Sequence, residues 1–304
     1  MKRRQFIQQV SAGTTLMALG HFGLQSFSTV KTTKITILHT NDVHSHIDAF
    51  SPEDGRNANK GGVARRASLI ESIRNENPNT LLLDAGDIFQ GTPYFNYYGG
   101  ELEFKLMSKL KYDAATIGNH DFDNGIDGLY AQFPHKKFEF VISNYDFSNT
   151  ILDTHTKPYH IYIKDGIKIG VFGLGIELKN LVDSKLYKET KYHNPVEIAQ
   201  DMSRILKEEK QCDLVICLSH LGYYYKNNSQ KISDITLASK TKNIDLIIGG
   251  HTHTFLSKPT VVKNILEKEI LVNQVGCYGL NLGKIDFYFD TNKNKVYNGT
   301  SIIV

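Results

Sequence analysis

The sequence predicts an α/β or layered α+β domain. Two observations carry that expectation. From about residue 33 onward, short apolar runs of strand length alternate with stretches of helical spacing. Almost every run that matters for chemistry ends in a small polar cluster of Gly, Asp, Asn, Ser or His. Alternation of this kind lays helices against sheets, and the polar clusters gather donor groups at the strand ends of one domain.

The elements follow in order. Ile35–Leu38 reads as a strand and runs into Asn41-Asp42-Val43-His44. Val63 to Arg74 places apolar side chains at Val63, Ala67, Ile70 and Ile73, a helical spacing. Thr80–Leu83 is a strand that leads to Gly86-Asp87, and the glycine there lets the backbone turn close to an ion. Leu102, Leu106 and Leu110 mark a second helix, and Ala114–Ile117 a strand ahead of Gly118-Asn119-His120-Asp121. Phe138–Ile142 and Ile167–Phe172 are further strands. Asn194-Pro195 before Glu197–Lys210 reads as a capped helix with Pro in its first turn. Leu214–Leu218 precedes Ser219-His220, and Ile244–Ile248 precedes Gly249-Gly250-His251-Thr252-His253. Ile270–Val275 and Ile285–Phe289 read as consecutive closing strands.

Composition narrows the class. The 304 residues suffice for one large domain or two small ones, and 40% hydrophobic with 22% charged residues is ordinary for a globular protein. A net charge of +3 is too small to argue for nucleic acid or a membrane surface. Cys212, Cys217 and Cys277 cannot all pair and read as buried thiols. Residues 1–28 read as an export signal: Lys2-Arg3-Arg4-Gln5-Phe6-Ile7 opens a weakly apolar stretch too short to span a bilayer. Arg-Arg-x-Phe-Ile resembles the twin-arginine signal, which implies an exported, periplasmic or cell-surface protein without a stable membrane span after processing.

Asp42, His44, Asp87, Asn119, His220, His251 and His253 supply carboxylate, amide and imidazole donors with no thiolate. Hard and borderline divalent cations take that mixture. In Asp-x-His, positions i and i+2 of an extended chain lean to the same side, so Asp42 and His44 can share an ion, and His251 and His253 have the same spacing. One carboxylate, Asp87, can bridge two ions, one oxygen to each. Each fragment alone has a bland explanation as a tight turn or a polar strand end. Five of them in order, each after a strand, do not.

The series resembles the calcineurin-like metallophosphoesterases, and within them the catalytic domain of the 5′-nucleotidases. Gly61-Gly62-Val63-Ala64-Arg65 and Ile167 to Gly173 resemble that branch as well. The resemblance spans about residues 34–304. It implies a four-layer α/β/β/α sandwich: two packed mixed β-sheets flanked by helices. It also implies two divalent ions, chosen among Mn²⁺, Zn²⁺, Fe²⁺ and Co²⁺. One would be held by Asp42, His44, Asp87 and His253, the other by Asp87, Asn119, His220 and His251.

The implied reaction is dimetal-dependent phosphoester hydrolysis. A hydroxide between the ions attacks phosphorus in line with the leaving group. His120 stabilises charge or protonates the leaving oxygen, with Asp123 fixing its ring. Asp121 reads as structural. The expected substrate is a small phosphate ester, a nucleotide above all. A cyclic nucleotide, a sugar phosphate and a thiosulfonate are alternatives, as is a separate polypeptide that supplies the family's C-terminal nucleoside-binding domain. His39, His46, His155 and His160 match no motif position. Tyr94–Tyr98 and Tyr223–Tyr225 read as packing and loop aromatics, with Tyr223–Tyr225 better placed for the site mouth.

Overall fold

The computed structural model describes residues 32–228 and 231–304, so the expected export signal lies outside the described residues. The strands are β1 Thr33–Thr40, β2 Thr80–Asp84, β3 Ala114–Ala115, β4 Glu139–Phe140, β5 Tyr145–Asp146, β6 Tyr159–Lys164 and β7 Ile167–Leu174. They continue as β8 Lys191–Tyr192, β9 Leu214–Ser219, β10 Leu246–Gly249, β11 Thr260–Lys263, β12 Glu269–Asn273, β13 Asn281–Phe289 and β14 Lys295–Ile303. Two six-stranded sheets result, in the orders β14-β13-β1-β2-β3-β4 and β11-β12-β10-β9-β7-β6. In the first, β1 to β4 run parallel and β13 and β14 antiparallel. In the second, β12, β10, β9 and β7 run parallel, with β11 and β6 as antiparallel edges.

Side-chain alternation explains the layering. In β1, Ile35 and Ile37 face the core between the sheets, while Leu38 faces the helices. In β2, Leu81 and Leu83 point inward and Leu82 outward. In β9, Leu214, Ile216 and Leu218 point inward, and Val215 and Cys217 outward. Both faces are covered, so these strands read as continuous apolar runs. Over the first sheet lie α1 Val63–Glu76, α2 Pro93–Tyr98, α3 Glu101–Lys109 and α4 Gly125–Ala131, burying Ile70, Phe104 and Leu129 among others. The short α5 Ser184–Tyr187 packs beside α4. Over the second sheet lie α6 Pro195–Arg204 and α7 Asp234–Lys240. This is the expected four-layer sandwich, with all three cysteines free and buried.

Asn194 caps α6 by accepting from the Val196 N–H at 2.9 Å, as Asn-Pro predicts. The helix expected to reach Lys210 widens after Arg204 into a π-turn over Ile205–Glu209. The two closing runs do not neighbour each other: β12 belongs to the second sheet, and β13 crosses to the first to pair with β1. Another strand, β14, follows β13.

One polar contact joins the sheets through their apolar interface. The Asn273 amide on β12 donates to Nε2 of His39 on β1 at 2.8 Å. Gly283 stands opposite His39, where a Cβ would meet that Nε2 at 2.0 Å. Burial holds the ring down to about 3. A folded pKa below the unfolded 6.5 makes this contribution complete above about pH 6.5, and it is lost as pH falls toward 3. Urea unfolding from pH 7 to pH 4 should therefore show the wild type losing stability relative to His39→Gln, by at most about 1.4 kcal/mol per pH unit. Parallel curves would remove the assignment.

Candidate metal centre

The donor residues stand in the loops that leave the C-terminal ends of β1, β2, β3, β9 and β10, where the parallel strands of both sheets reach one rim. Open parallel sheets bind ligands at this end. The loops are not extended. Asp42, His44, Asp87, His251 and His253 have φ of 49°, 50°, 55°, 71° and 50°. Left-handed backbone costs a non-glycine residue roughly 1–2 kcal/mol, so the surrounding contacts must hold it.

Glycines make the approach possible. A Cβ on Gly86 would meet His220 Nδ1 at 3.0 Å, and one on Gly250 would meet the Ala85 carbonyl at 2.9 Å. The loops of the two sheets touch at these points.

The seven donors form two groups. Asp42, His44 and His253 offer atoms within 4.8 Å of one another, and Asp87, His220 and His251 do the same. Asn119 joins the second group, its Oδ1 lying 2.8 Å from His251 Nδ1. His251 and His253 fall in different groups, although their spacing equals that of Asp42 and His44. Asp42 and His44 do share a group, in a turn rather than an extended strand.

Asp87 lies between the groups. Its Oδ1 accepts from the His120 backbone N–H at 2.8 Å. Its Oδ2 lies 3.0 Å from His220 Nε2 and 3.8 Å from His44 Nε2. One oxygen therefore faces both groups, in place of the expected one oxygen to each.

The donors fit divalent ions. His44 Nδ1 meets the Phe89 carbonyl at 3.1 Å, and His220 Nδ1 meets the Ala85 carbonyl at 2.7 Å. Such outer partners place the proton on Nδ1 and leave Nε2 free to ligate. In that tautomer the buried His220 Nε2 has no hydrogen bond and faces Asp87 Oδ2. Two donors on one ion with bonds of roughly 2.1 Å stand about 3.0–3.4 Å apart at right-angled to tetrahedral geometry. His44 Nε2 to His253 Nε2 is 3.0 Å, and His253 Nε2 to Asp42 Oδ1 is 3.4 Å.

The charges packed around the donors set the same demand for positive charge. Burial opposes a charged His220, but Asp87 and Asp42 outweigh it and push the ring up to about 10. The Asp42 carboxylate, with Cys277, pushes His253 up to about 10. Burial resists the Asp87 carboxylate, yet His220 holds it below the usual range. Burial and the charge of His220 hold His251 down to about 4, and burial lowers His44.

His120 stands at the rim, its ring edge-on to His44 with centroids 5.3 Å apart. Its Nδ1 meets Asp123 Oδ2 at 3.0 Å, which raises the His120 pKa despite partial burial. Asp121 is structural, as expected. It accepts from the backbone N–H groups of Gly118 (2.8 Å), Ile88 (2.8 Å), Asp87 (3.1 Å) and Phe89 (3.2 Å), tying the Asp87 loop to the Asn119 loop.

The remaining candidates fall outside the donor groups. His46 stacks on Phe50 and Tyr278, His155 packs on Tyr130, and His160 lies on edge strand β6. Tyr94–Tyr98 lie within or beside α2 rather than in a loop. Tyr223 and Tyr225 are pinned by Thr260 and the Leu221 carbonyl, which makes them packing residues, while Tyr224 is exposed. Two neighbours of the site, Cys277 and Tyr278, carried no signal of their own. Asn41 donates to Asp42 Oδ2 at 2.6 Å, and Cys277 and Tyr278 wall the His253 side. Their position depends on a segment about 235 residues from the Asp42 loop, joined to it by the Asn41–Gly276 bond.

A four-layer sandwich with two histidine–carboxylate groups sharing one aspartate at its strand ends defines a dinuclear-type α/β protein. The chain belongs to the calcineurin-like phosphoesterase family, whose model matches residues 35–255. It is 34% identical over 288 residues to the trifunctional nucleotide phosphoesterase protein YfkN of Bacillus subtilis, covering 84% of this chain and 18% of that protein. It is 32% identical to the snake venom 5′-nucleotidase of Crotalus adamanteus, covering 86% of this chain and 46% of the relative. The 5′-nucleotidase precursor of Thermus thermophilus superposes with a TM-score of 0.80 at 32% identity, over 90% of this chain and 55% of that one. The chain thus spans about half the length of the 5′-nucleotidases it matches and less of YfkN.

Asp121 and Asp123 separate scaffold from chemistry. Asp121→Ala strips an acceptor from four backbone donors and should cost at least about 2 kcal/mol, since a buried unmet donor costs about 1–3. Asp123→Ala, at a half-exposed pair, should cost less than about 1 kcal/mol. Denaturant midpoints of the two variants decide it, and equal losses would contradict the division.

Proposed function

We propose that the chain is a dimetal-dependent phosphoester hydrolase of the 5′-nucleotidase type, acting on nucleotide monoesters. The carrying observation is the single oxygen of Asp87 placed between the two donor groups. Asp42, His44, Asp87 and His253 hold one divalent ion, and Asp87, Asn119, His220 and His251 hold the other. When bound, two such ions neutralise phosphoryl charge and lower the pKa of a water. The donor chemistry admits Mn²⁺, Zn²⁺, Fe²⁺ or Co²⁺.

The chain's own groups do the rest. Asp42 and Asp87 carry the negative charge that attracts the ions. Asn119 adds a neutral oxygen, which keeps the second group from repelling a phosphate. Asp123 accepts from His120 Nδ1–H and favours the protonated ring, so Nε2 carries the proton that passes to the leaving oxygen. Its position at the rim, beside His44, suits a group that meets substrate from outside the donor groups.

Nucleotide specificity rests on the relatives' printed names, 5′-nucleotidase and nucleotide phosphoesterase. The second of these keeps other nucleotide esters in view. Nucleoside contacts from a separate polypeptide are a further proposal. Among the described residues no helix is long and apolar enough to cross a membrane. Export rests on the twin-arginine-like start of the sequence.

Hydrolysis of AMP, a 2′,3′-cyclic nucleotide, a sugar phosphate and p-nitrophenyl phosphate with Mn²⁺ or Zn²⁺ tests the reading. AMP should be preferred, and a chain inert to every ester would refute the proposal. His120→Asn should keep both ions and lose turnover by about 100-fold or more; undiminished turnover would remove its role. Asp87→Ala should lower the affinity for both ions, and two ions bound as in the wild type would rule out a shared ligand.

A further inference from the structure

Two oppositely charged side chains are buried behind the rim. Arg66 on α1 and Glu103 on α3 are 4% and 3% exposed. Nε and Nη1 of Arg66 and both carboxylate oxygens of Glu103 have no hydrogen-bond partner among the described residues, so the two side chains do not bond each other through these atoms. Both line one cavity of about 20 Å³, together with Asp84, Tyr112, Val43 and Ile47. Val43 and Ile47 flank His44, which places the cavity against the loop that carries Asp42 and His44. The other polar groups of the wall are already engaged. Thr40 Oγ1 donates to Asp84 Oδ2 at 2.5 Å and meets the Tyr112 hydroxyl at 2.8 Å, and Gly86 N–H donates to Asp84 Oδ1 at 2.9 Å. Burial raises the Glu103 pKa, and the nearby Ser45 hydroxyl offsets this in part without closing a hydrogen bond.

Leaving a charge unpaired in the interior is costly. A cavity needs only about 10–15 Å³ to hold one water, so this one has the room. Water accepts and donates at once, and a bridging water is nearly as good as a direct hydrogen bond. We propose that Arg66 and Glu103 are joined across this cavity by one ordered water, and that the hydrated pair braces the donor loop against α1 and α3. The water accepts from Arg66 and donates to Glu103. The inference concerns the chain without ions and stands apart from the two-ion reading.

The loop needs such support. Asp42, His44 and Ser45 have φ of 49°, 50° and 53°, and left-handed backbone persists at non-glycine residues only where the surroundings over-determine it. Arg66 also reaches the segment on the other side of the loop. A Cβ on Gly279 would meet its Nη1 at 1.9 Å, and the preceding Tyr278 N–H donates to the Asp42 carbonyl at 2.7 Å. The guanidinium thus stands between α1 and a segment bonded directly to the donor loop.

The test uses the full chain without added metal. Crystals of the wild type should show one water within hydrogen-bond distance of both Arg66 and Glu103. A direct Arg66–Glu103 contact, or a dry cavity, would overturn the bridge. Arg66→Met or Glu103→Leu alone strands the opposite charge and should lower the folding equilibrium constant by about 100-fold or more in urea titrations. Apolar replacement of both should recover most of that loss, and losses that simply add would show that the charges act separately. If a single variant does not fold, a folded double variant is itself the recovery, and a double variant that does not fold overturns the pairing. Bracing is read by amide exchange in the double variant. The Ser45 N–H, bonded to the Ile88 carbonyl at 2.9 Å, should exchange about tenfold faster than in the wild type, while the Leu82 N–H in β2 keeps its rate. Equal changes at the two amides, or none, would remove the bracing role.

Discussion

Everything at the rim of the sandwich is arranged around the carboxylate of Asp87. One of its oxygens is occupied by the His120 backbone, which leaves the other between His44 and His220. That division fixes the distance between the two donor groups, and with it the scale of any ligand they act on together. Asp121 enforces the arrangement from behind by gathering the N–H groups of the Asp87 loop and that of Gly118. Burial raises Asp121 to about 7. A carboxylate is kept in this unfavourable place because four donors would otherwise have no acceptor.

The sheets supply stiffness and the loops supply strain. Central strands such as β2 are fully buried and cannot shift register without turning apolar residues to the wrong face. The loops they carry hold five donor residues at positive φ. Contacts made elsewhere hold that geometry, which is the usual relation between a rigid scaffold and a reactive site. Glycines at 86 and 250 let the loops of the two sheets approach to contact distance.

Much of this was legible in the sequence. Strands covered on both faces appear as apolar runs, and the nine expected runs all coincide with strands. Strands β6, β11 and β14 escaped because they are half exposed edges, where polar residues interrupt the pattern. The motif order brought all seven donors together, but their pairing was not readable from spacing. Left-handed backbone at His251 and His253 takes them off the two-residue periodicity of an extended strand. The approach of the Tyr278 ring to His253 has no local signal, since it depends on β13 crossing back to pair with β1 after β12 has closed the other sheet.

That crossing has a kinetic consequence. His44 and His253 are 209 residues apart and arrive on different sheets, so their contact requires both sheets to be assembled and docked. Contacts between such distant segments form late, because a long loop must close before they contribute. An intermediate with only the first sheet folded would present Asp42, His44, Asp87 and Asn119 without three of the four imidazoles. Tight uptake of two ions at this rim would therefore be a signature of the assembled fold. Such binding would add its free energy only to the fully assembled state, which would widen the gap to every partly folded competitor.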